Sequence, residues 1–487
     1  MRGRRRGGAG GSRGGRRVVA TAGLIFALMH PASTHAQEGP SAEGLVERAA
    51  DLMGGVERLR SIQQVAMDMT TTWLRTDFRD VPFADRPSIE HHMDVRDYSI
   101  DAWRNTRRFP NGEIVNIIRD SISVTGRAGR FQPLSDAYVD ERDELFIYTP
   151  DRLVLALLDA PSLDTRPDTV LGGEDQRRVV ATLAPNGGRV SEVEVFFQRG
   201  TGLPTMLRFS AGHPADYGLV QWGEMEVEVW YSGWITYGGV SIPRHWDIRR
   251  VGVPYKRLRV NRADFAPEFS ADSFAIPDSL RAAYGPSMAS RPMHEARLID
   301  SVRTPDDGVV LFEPSFGVPV GAVSTEAGTV LLGAGRAPFN YDYTIDVLSE
   351  EGVESPTFVL LARRMAGNGG VVRAAESGVP ILASAASRPF VRHVLDNHGL
   401  ETATIDVVRG PRSIGSGAAE VRLHPIDLPD VPGALMLYRP SSGWLWVPDA
   451  SGPLHLRLAR EQATALGWDV KVIGWQRQAW EPVARSP

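Results

Sequence analysis

The sequence predicts two folded domains, an α+β domain built on an antiparallel sheet with a few helices, then an α/β domain. Three observations lead there. The chain has 487 residues, more than one ordinary domain holds. From Thr169 to Phe274 it reads as consecutive strands joined by short turns. From Val309 onward strands and helices alternate. At 42% hydrophobic and 23% charged residues, the composition is that of a globular protein with apolar material for more than one core.

The N-terminus differs in kind. Met1 to Arg17 carries seven arginines and no acid, Val18 to Met29 is apolar, and Pro31 to Gln37 is rich in small residues. A basic segment, a short apolar run and a small-residue cleavage site predict a secretory signal peptide over 1–36, cut after Ala36. The apolar run is short for a bilayer span, and no second run reaches that length, so no transmembrane anchor is expected after cleavage. Arg16-Arg17 fits a twin-arginine export cue that the following residues do not complete. The expected location is periplasmic or secreted. Without cysteine there is neither a disulfide framework nor a lipid-anchor thiol. The net charge of −5 argues against a nucleic-acid partner. Lys256 and Lys471 are the only lysines among 54 basic residues.

The first domain is placed at 37–278. Leu45, Ala49 and Leu52 share one face of an opening helix, which Gly54-Gly55 stops. Strand-like alternation runs from Ile62 to about Thr125, and a second helix is predicted over Asp140 to Leu158. Arg178–Leu183, Val190–Gln198, Pro204–Ser210 and Glu226–Tyr231 follow as strands, the last alternating with period two. A linker at 279–290 leads to the second domain, 291–487. There Val309–Phe312, Thr329–Leu332, Thr357–Leu361, Val379–Ser384, Val421–Pro425, Ala434–Tyr438, Trp444–Val447 and Val470–Ile473 read as strands. Tyr343–Glu350, Val371–Ser377, Pro389–Asn397 and Leu456–Leu466 read as helices.

Several residue groups invite a chemical reading and carry a blander one. His91 and His92, near Asp94, would point to opposite faces of a strand, which ill suits one ion. Glu90, Asp94, Asp97 and Asp101 are interleaved with Arg96 and Arg104, as on an ordinary charged surface. His393 and His398 are five residues apart, whereas zinc pairs on a helix favour i, i+4. The Gly-x-Ser-x-Gly elbow is missing, and Ser413–Gly417 reads as a hairpin turn. Gly367-Asn368-Gly369-Gly370 lacks the lysine and hydroxyl of a phosphate loop. Ser384 to Arg388 is a strand–helix junction that suits a capping serine or an anion. Trp444 and Trp446 share a strand face, as core packing or as the lining of an apolar groove.

The second domain resembles the metallo-β-lactamase fold in the order and spacing of its pieces. These are the hairpin Val323–Leu332, the strand Phe358–Leu361, the Gly369-Gly370 that opens a helix, the strand Gly378–Ser384, the hairpin Met436–Asp449 and the last strand Val472–Gln476. The resemblance implies an αββα sandwich. That family binds metal through His-x-His-x-Asp-His before the Gly-Gly, where this chain has Ala362-Arg363-Arg364-Met365-Ala366-Gly367. Arginine stays protonated, and alanine and glycine have no donor. The later ligand histidines are missing near Asp430 and at Gln476, and only Asp449 stands where the family has its bridging aspartate. One carboxylate does not hold a catalytic ion. The resemblance therefore implies a degenerate member without metal, cofactor or catalytic residue. Asp449, and His424 beside Asp427 and Asp430, are its vestigial metal candidates.

The first domain is similar to the lipoprotein-carrier half-barrel family through Leu203–Leu207, Tyr231–Trp234, Gly239–Pro243 and Phe274–Pro277. That similarity implies a curved antiparallel sheet with helices on its concave side and an apolar cavity. The expected function is an exported, non-catalytic binding or scaffold protein holding an apolar ligand or a protein partner. The alternative is a metal-dependent hydrolase with a non-standard site around Asp449 and His424. A third reading makes the second domain a stabiliser of the first.

Overall fold

Alternating β-branched and polar residues build most of the N-terminal region into strands. The computed structural model describes residues 40–74, 88–109, 112–134, 137–183, 190–212, 223–283, 299, 301–312, 320–335, 338–361, 369–429, 431–447, 453–475 and 478–482. The predicted signal peptide and residues 284–290 of the predicted linker lie outside them. Among the described residues, one antiparallel sheet takes thirteen strands. They are β1 (Gln64–Trp73), β2 (Ser88–Asp97), β3 (Ala102–Phe109), β4 (Gly112–Arg119), β5 (Ile122–Arg127) and β6 (Arg130–Pro133), then β7 (Ser162–Leu171), β8 (Glu174–Thr182), β9 (Glu192–Gln198), β10 (Pro204–Gly212), β11 (Glu224–Tyr237), β12 (Val240–Arg250) and β13 (Val253–Asp264). Two meanders, β1–β6 and β7–β13, are joined by pairing β1 with β13.

Helices α1 (Ala42–Met53), α2 (Val56–Ser61), α3 (Ala137–Tyr148) and α4 (Pro150–Leu158) accompany this sheet. The single helix expected over 140–158 is two, because proline lacks the N–H that continues a helix and forces its predecessor out of the helical region. Thr149 accordingly sits at φ −81°, ψ 116°. In α1, Leu45 and Ala49 are buried as expected, but Leu52 is 44% exposed and packs beside the turn at Gly202.

The apolar core changes side across the sheet. On β8–β13 and β1 it lies under the helices. The cross-strand row Val179, Val195, Leu207, Val229 and Ile248 is fully buried there against Leu45, Met53, Leu153 and Leu157. On β2–β6 it lies on the opposite face, where Val95, Ala102, Ile117 and Val124 pack under Phe274 and Ile276. The segment that covers them, Ala271–Phe274 and α5 (Asp278–Ala283), is also held by Arg104 Nη1 donating to Ser273 O at 2.9 Å.

The C-terminal region makes two further sheets. The first takes β14 (Val302–Asp306), β15 (Val309–Phe312), β16 (Gly321–Thr325), β17 (Gly328–Leu332), β18 (Pro356–Leu360), β19 (Ile381–Ser384) and β20 (Ile405–Val408), antiparallel as far as β17 and parallel from β17 to β20. Its crossovers are α6 (Pro338–Glu350), α7 (Gly370–Glu376) and α8 (Arg388–Asn397). The second sheet takes β21 (Arg412–Ile414), β22 (Val421–Leu428), β23 (Val431–Arg439), β24 (Trp444–Trp446), β25 (Val472–Trp475) and β26 (Gln478–Pro482), with α9 (Pro453–Ala465) between β24 and β25. The two sheets share a core that includes Val330, Leu360 and Leu382 from one and Leu423, Leu437 and Trp446 from the other. The outer face of the first carries α6–α8, and that of the second carries α9.

Residues Ser41–Pro487 form one compact unit. A continuous buried cluster joins the helix-covered face of the thirteen-stranded sheet to the α6–α8 side of the seven-stranded sheet. At that junction Asn397 Nδ2 donates to Glu224 O at 3.1 Å, and the His398 ring lies against Gly223.

Candidate functional site

The topology brings several strand ends to one edge. Because β17, β18, β19 and β20 run parallel, their C-terminal ends share one edge of the seven-stranded sheet. In the six-stranded sheet β24 and β25 end together, beside the start of antiparallel β23. Gly433 ties the two edges. Its φ is +69°, and a Cβ there would lie 2.6 Å from Ala386 Cβ and 3.1 Å from Ser384 Oγ. Gly370, in the Gly-Gly pair, has a comparable reason to be glycine: an added Cβ would come within 1.8 Å of Ala334 O, where β17 has just ended.

At this edge the described polar groups serve the backbone. Ser384 Oγ is 3.0 Å from Ser387 Oγ and accepts from Ser387 N at 3.1 Å, and both serines are buried. Ser387, at the N-cap of α8, makes no side-chain cap hydrogen bond, so the serines bond each other at this junction and do not cap the helix as a capping serine would. Asp427 Oδ1 accepts from Gly433 N at 2.7 Å and shapes the β22–β23 turn. The stretch Ala362–Gly367, Asp430, Asp449 and Gln476 lie outside the described residues.

His424 is described, and its surroundings are specific. It alternates with Leu423, which faces the core between the two sheets. His424 therefore turns toward α9 and meets Trp468 edge-on at 6.3 Å, while Trp468 stacks on Tyr438 at 4.9 Å. Its Nδ1 is buried without a hydrogen-bond partner among the described residues. Trp444 and Trp446 are 5% and 2% exposed inside the core between the sheets, so they fill that core. Among the described residues no group of three or more His, Asp or Glu is arranged to hold a metal ion. Nor is any helix among them long and apolar enough to cross a membrane.

His91 and His92 point to opposite faces, as their adjacency requires. His91 is exposed with Nδ1 3.1 Å from Thr70 Oγ1. His92 is half-buried on the helix side. Burial lowers its pKa, against Asp94 and Glu90 and with Lys256 and Arg107. His393 is exposed on α8, and His398 caps that helix.

The charged residues around Asp94 correct a sequence expectation. Asp101 is exposed, but Asp94, Arg96 and Asp97 are buried at 2%, 0% and 4% exposure and belong to no solvated surface. Arg96 pairs across β1 with Val65 and across β3 with Trp103, which places it under α3 and α4. Arg96 Nε donates to Asp94 Oδ1 at 2.7 Å, Trp103 Nε1 to Asp94 Oδ2 at 2.8 Å, and Arg96 Nη1 to Thr149 Oγ1. Asp151, fully buried in the first turn of α4, accepts from Arg152 Nε at 3.0 Å. The Arg152 guanidinium covers the Tyr98 ring at 4.0 Å and donates to Leu59 O at 2.9 Å.

A second buried group lies on the same face. Arg250 Nη2 donates to Glu144 Oε1 at 3.4 Å, and Tyr148 donates to the same carboxylate. Lys256, 6% exposed, has its ammonium 5.3 Å from the Trp73 ring centre, 5.8 Å from that of Tyr255 and 6.0 Å from that of Tyr148. The sequence carries a faint signal for this group, since Lys256 is the only lysine within residues 37–278.

Solved structures resemble both regions. No family model matches the sequence, and no curated protein matches it. A putative outer membrane lipoprotein-sorting protein domain from Vibrio parahaemolyticus is 8% identical, with a TM-score of 0.30, covering 47% of this chain and 95% of that one. A LolA superfamily protein from Nitrosomonas europaea is 9% identical, with a TM-score of 0.32, covering 50% and 100%. A metallo-β-lactamase from Erythrobacter litoralis is 14% identical, with a TM-score of 0.30, covering 38% and 92%. These neighbours include lipoprotein-sorting and LolA superfamily proteins on one side and metallo-β-lactamases on the other, at low identity.

Proposed function

We propose that the chain is an exported binding or scaffold protein whose N-terminal sheet holds an apolar ligand. What supports this reading is the apolar character of the helix-covered face, the row from Val179 through Leu207 to Ile248 that packs against α1 and α4, and an acyl chain would take the place of those helices on it. With α1 and α4 moved aside, this face would stabilise an acyl chain by burial at ~0.8 kcal/mol per methylene. On this reading residues 37–278 are a curved half-barrel domain and 291–487 a metallo-β-lactamase-type αββα sandwich. The helix, sheet, sheet, helix order of the C-terminal cores supports the sandwich. The metal-poor stretch Ala362–Gly367 supports a non-catalytic role, and the basic-then-apolar N-terminus supports cleavage after Ala36 and a periplasmic or secreted location.

Organic extraction of the purified chain from Gln37 onward, followed by mass spectrometry, tests the reading. The expected result is a co-purifying amphiphile, and a fluorescent fatty-acid probe that binds the delipidated protein and is displaced by unlabelled fatty acid. A folded protein that yields no amphiphile and binds no probe sinks it. The hydrolase reading draws on one observation, that β24, which leads toward Asp449, ends at the same edge as β18 and β19. Elemental mass spectrometry after dialysis with zinc and manganese decides it. Near-stoichiometric metal, lost in Asp449→Ala, makes the chain a hydrolase candidate, and negligible metal leaves the binding role.

A further inference from the structure

Three buried polar atoms near the α3–α4 break have no hydrogen-bond partner among the described residues: Arg96 Nη2, the Tyr98 hydroxyl and Asp151 Oδ1. Arg96 and Asp151 are both 0% exposed. The three residues sit inside one ring of contacts. Phe146 touches the Tyr98 ring at 5.2 Å and the Arg96 guanidinium at 5.5 Å. Thr149, which takes one N–H of Arg96, leads through Pro150 to Asp151. Arg152 bonds Asp151 and covers Tyr98. Arg96 Nε and Nη1 donate to Asp94 and Thr149, and the other carboxylate oxygen of Asp151 accepts from Arg152 Nε.

Buried polar groups of native proteins are almost always bonded to protein or to an ordered guest. A guest of this kind usually makes about three hydrogen bonds. The chemistry of the three atoms defines what fits: a guanidinium N–H that only donates, a carboxylate oxygen that only accepts, and a phenol that does either. We propose that Arg96, Tyr98 and Asp151 together bind one hydroxyl-type oxygen, which accepts from Arg96 and donates to Asp151, with Tyr98 as its third partner. A carboxylate or phosphate guest is excluded by Asp151, and an ammonium by Arg96. Two sources supply such an oxygen, a water molecule or the hydroxyl of an amphiphile lying along the sheet. Burial first, then Asp151, raises the Tyr98 hydroxyl, while Arg96 lies close beside that hydroxyl and opposes the rise, which keeps the three groups together.

A crystal structure of the chain from Gln37, before and after delipidation, tests the site. The expected result is one density peak within hydrogen-bond distance of all three atoms. An isolated peak that persists after delipidation identifies water, and a peak continuous with a chain, lost on delipidation, identifies a ligand hydroxyl. Direct bonding of Arg96 Nη2 to Asp151 Oδ1 or to the Tyr98 hydroxyl, without a peak, overturns the proposal. In solution, Tyr98→Phe and Asp151→Asn are each expected to lower the melting temperature, and the double variant by less than their sum, because they share one guest. Strictly additive losses overturn it too. Neither experiment depends on whether the apolar lining binds a lipid.

Discussion

The two meanders of the thirteen-stranded sheet solve the same problem in opposite ways. Strands β8–β13 bury aliphatic side chains under α1 and α4 and turn charged residues outward, where Arg178, Glu194, Arg208 and Glu228 make a ladder of ion pairs. Strands β2–β6 bury their aliphatic side chains on the other face, under Phe274 and Ile276, and put Asp94, Arg96 and Asn105 beneath the helices. β1 is the hinge, with Met67 in the aliphatic core and its partner Asp94 in the polar network. A sheet with one buried face needs only one apolar side per strand. Beyond β1 both faces are covered, and under the helices the second covered face is polar, with Asp94 taking N–H groups from Arg96 and Trp103.

The largest effect expected from this contrast is at Arg96. Removing one partner of a buried ion pair leaves the other charge uncompensated, which costs about 3–5 kcal/mol. Arg96→Met should therefore lower the denaturation free energy by that amount in urea titrations. The paired change Asp94→Leu with Arg96→Met should recover most of it, since an apolar replacement of both partners is often neutral. A single variant losing less than ~1 kcal/mol, the level of an exposed pair, would mean that the polar face is wet and the contrast is wrong.

Cavity variants sharpen the same contrast. Met67→Ala and Ile117→Ala each empty a fully or almost fully buried site, at 0% and 3% exposure, and each should cost about 2–5 kcal/mol. Their reach should differ. Hydrogen exchange should rise across α1, α4 and β8–β13 for Met67→Ala, and across β2–β6 and the Ala271–Phe274 turn for Ile117→Ala. Identical exchange maps would make the sheet one cooperative unit and remove the division at β1.

Sequence patterns reveal much of this fold because strand alternation and turn glycines are local signals. The strand runs, the helix opened by Gly370 and the order of the C-terminal elements are all legible. Pro150, read as part of one helix, divides it, although its missing N–H was in plain sight. The burial of Asp94 and Arg96 was not legible. Alternation with Met93 and Val95 announces one buried face, and nothing local announces that helices from 40 residues onward cover the other. His424 shows the converse. Chain proximity to Asp427 and Asp430 suggests a site, whereas the two-residue strand period turns it toward Trp468.

The smallest effect is a proton affinity that crosses the division. Tyr98 lies in the polar half, and burial, then Asp151, pushes its hydroxyl up to about 12. Tyr231 lies in the apolar half, donates to Tyr148 O at 2.8 Å, and is pushed well above its ordinary value by the same two causes. A raised pKa means that the folded chain holds the proton more tightly than the unfolded chain. The resulting stability is complete below the ordinary phenol value of about 10. It is lost as pH rises through about 12 for Tyr98. Phenolate absorbance of the folded chain should therefore leave both tyrosines protonated where the unfolded chain ionises fully. Asp151→Asn should bring both down, because one carboxylate acts on both halves of the sheet. A shift of Tyr98 alone would confine Asp151 to the polar half and make the division at β1 sharper. Ionisation of both near ~10 in the folded chain would show that water reaches them, and the buried polar face would have to be redrawn as an open one.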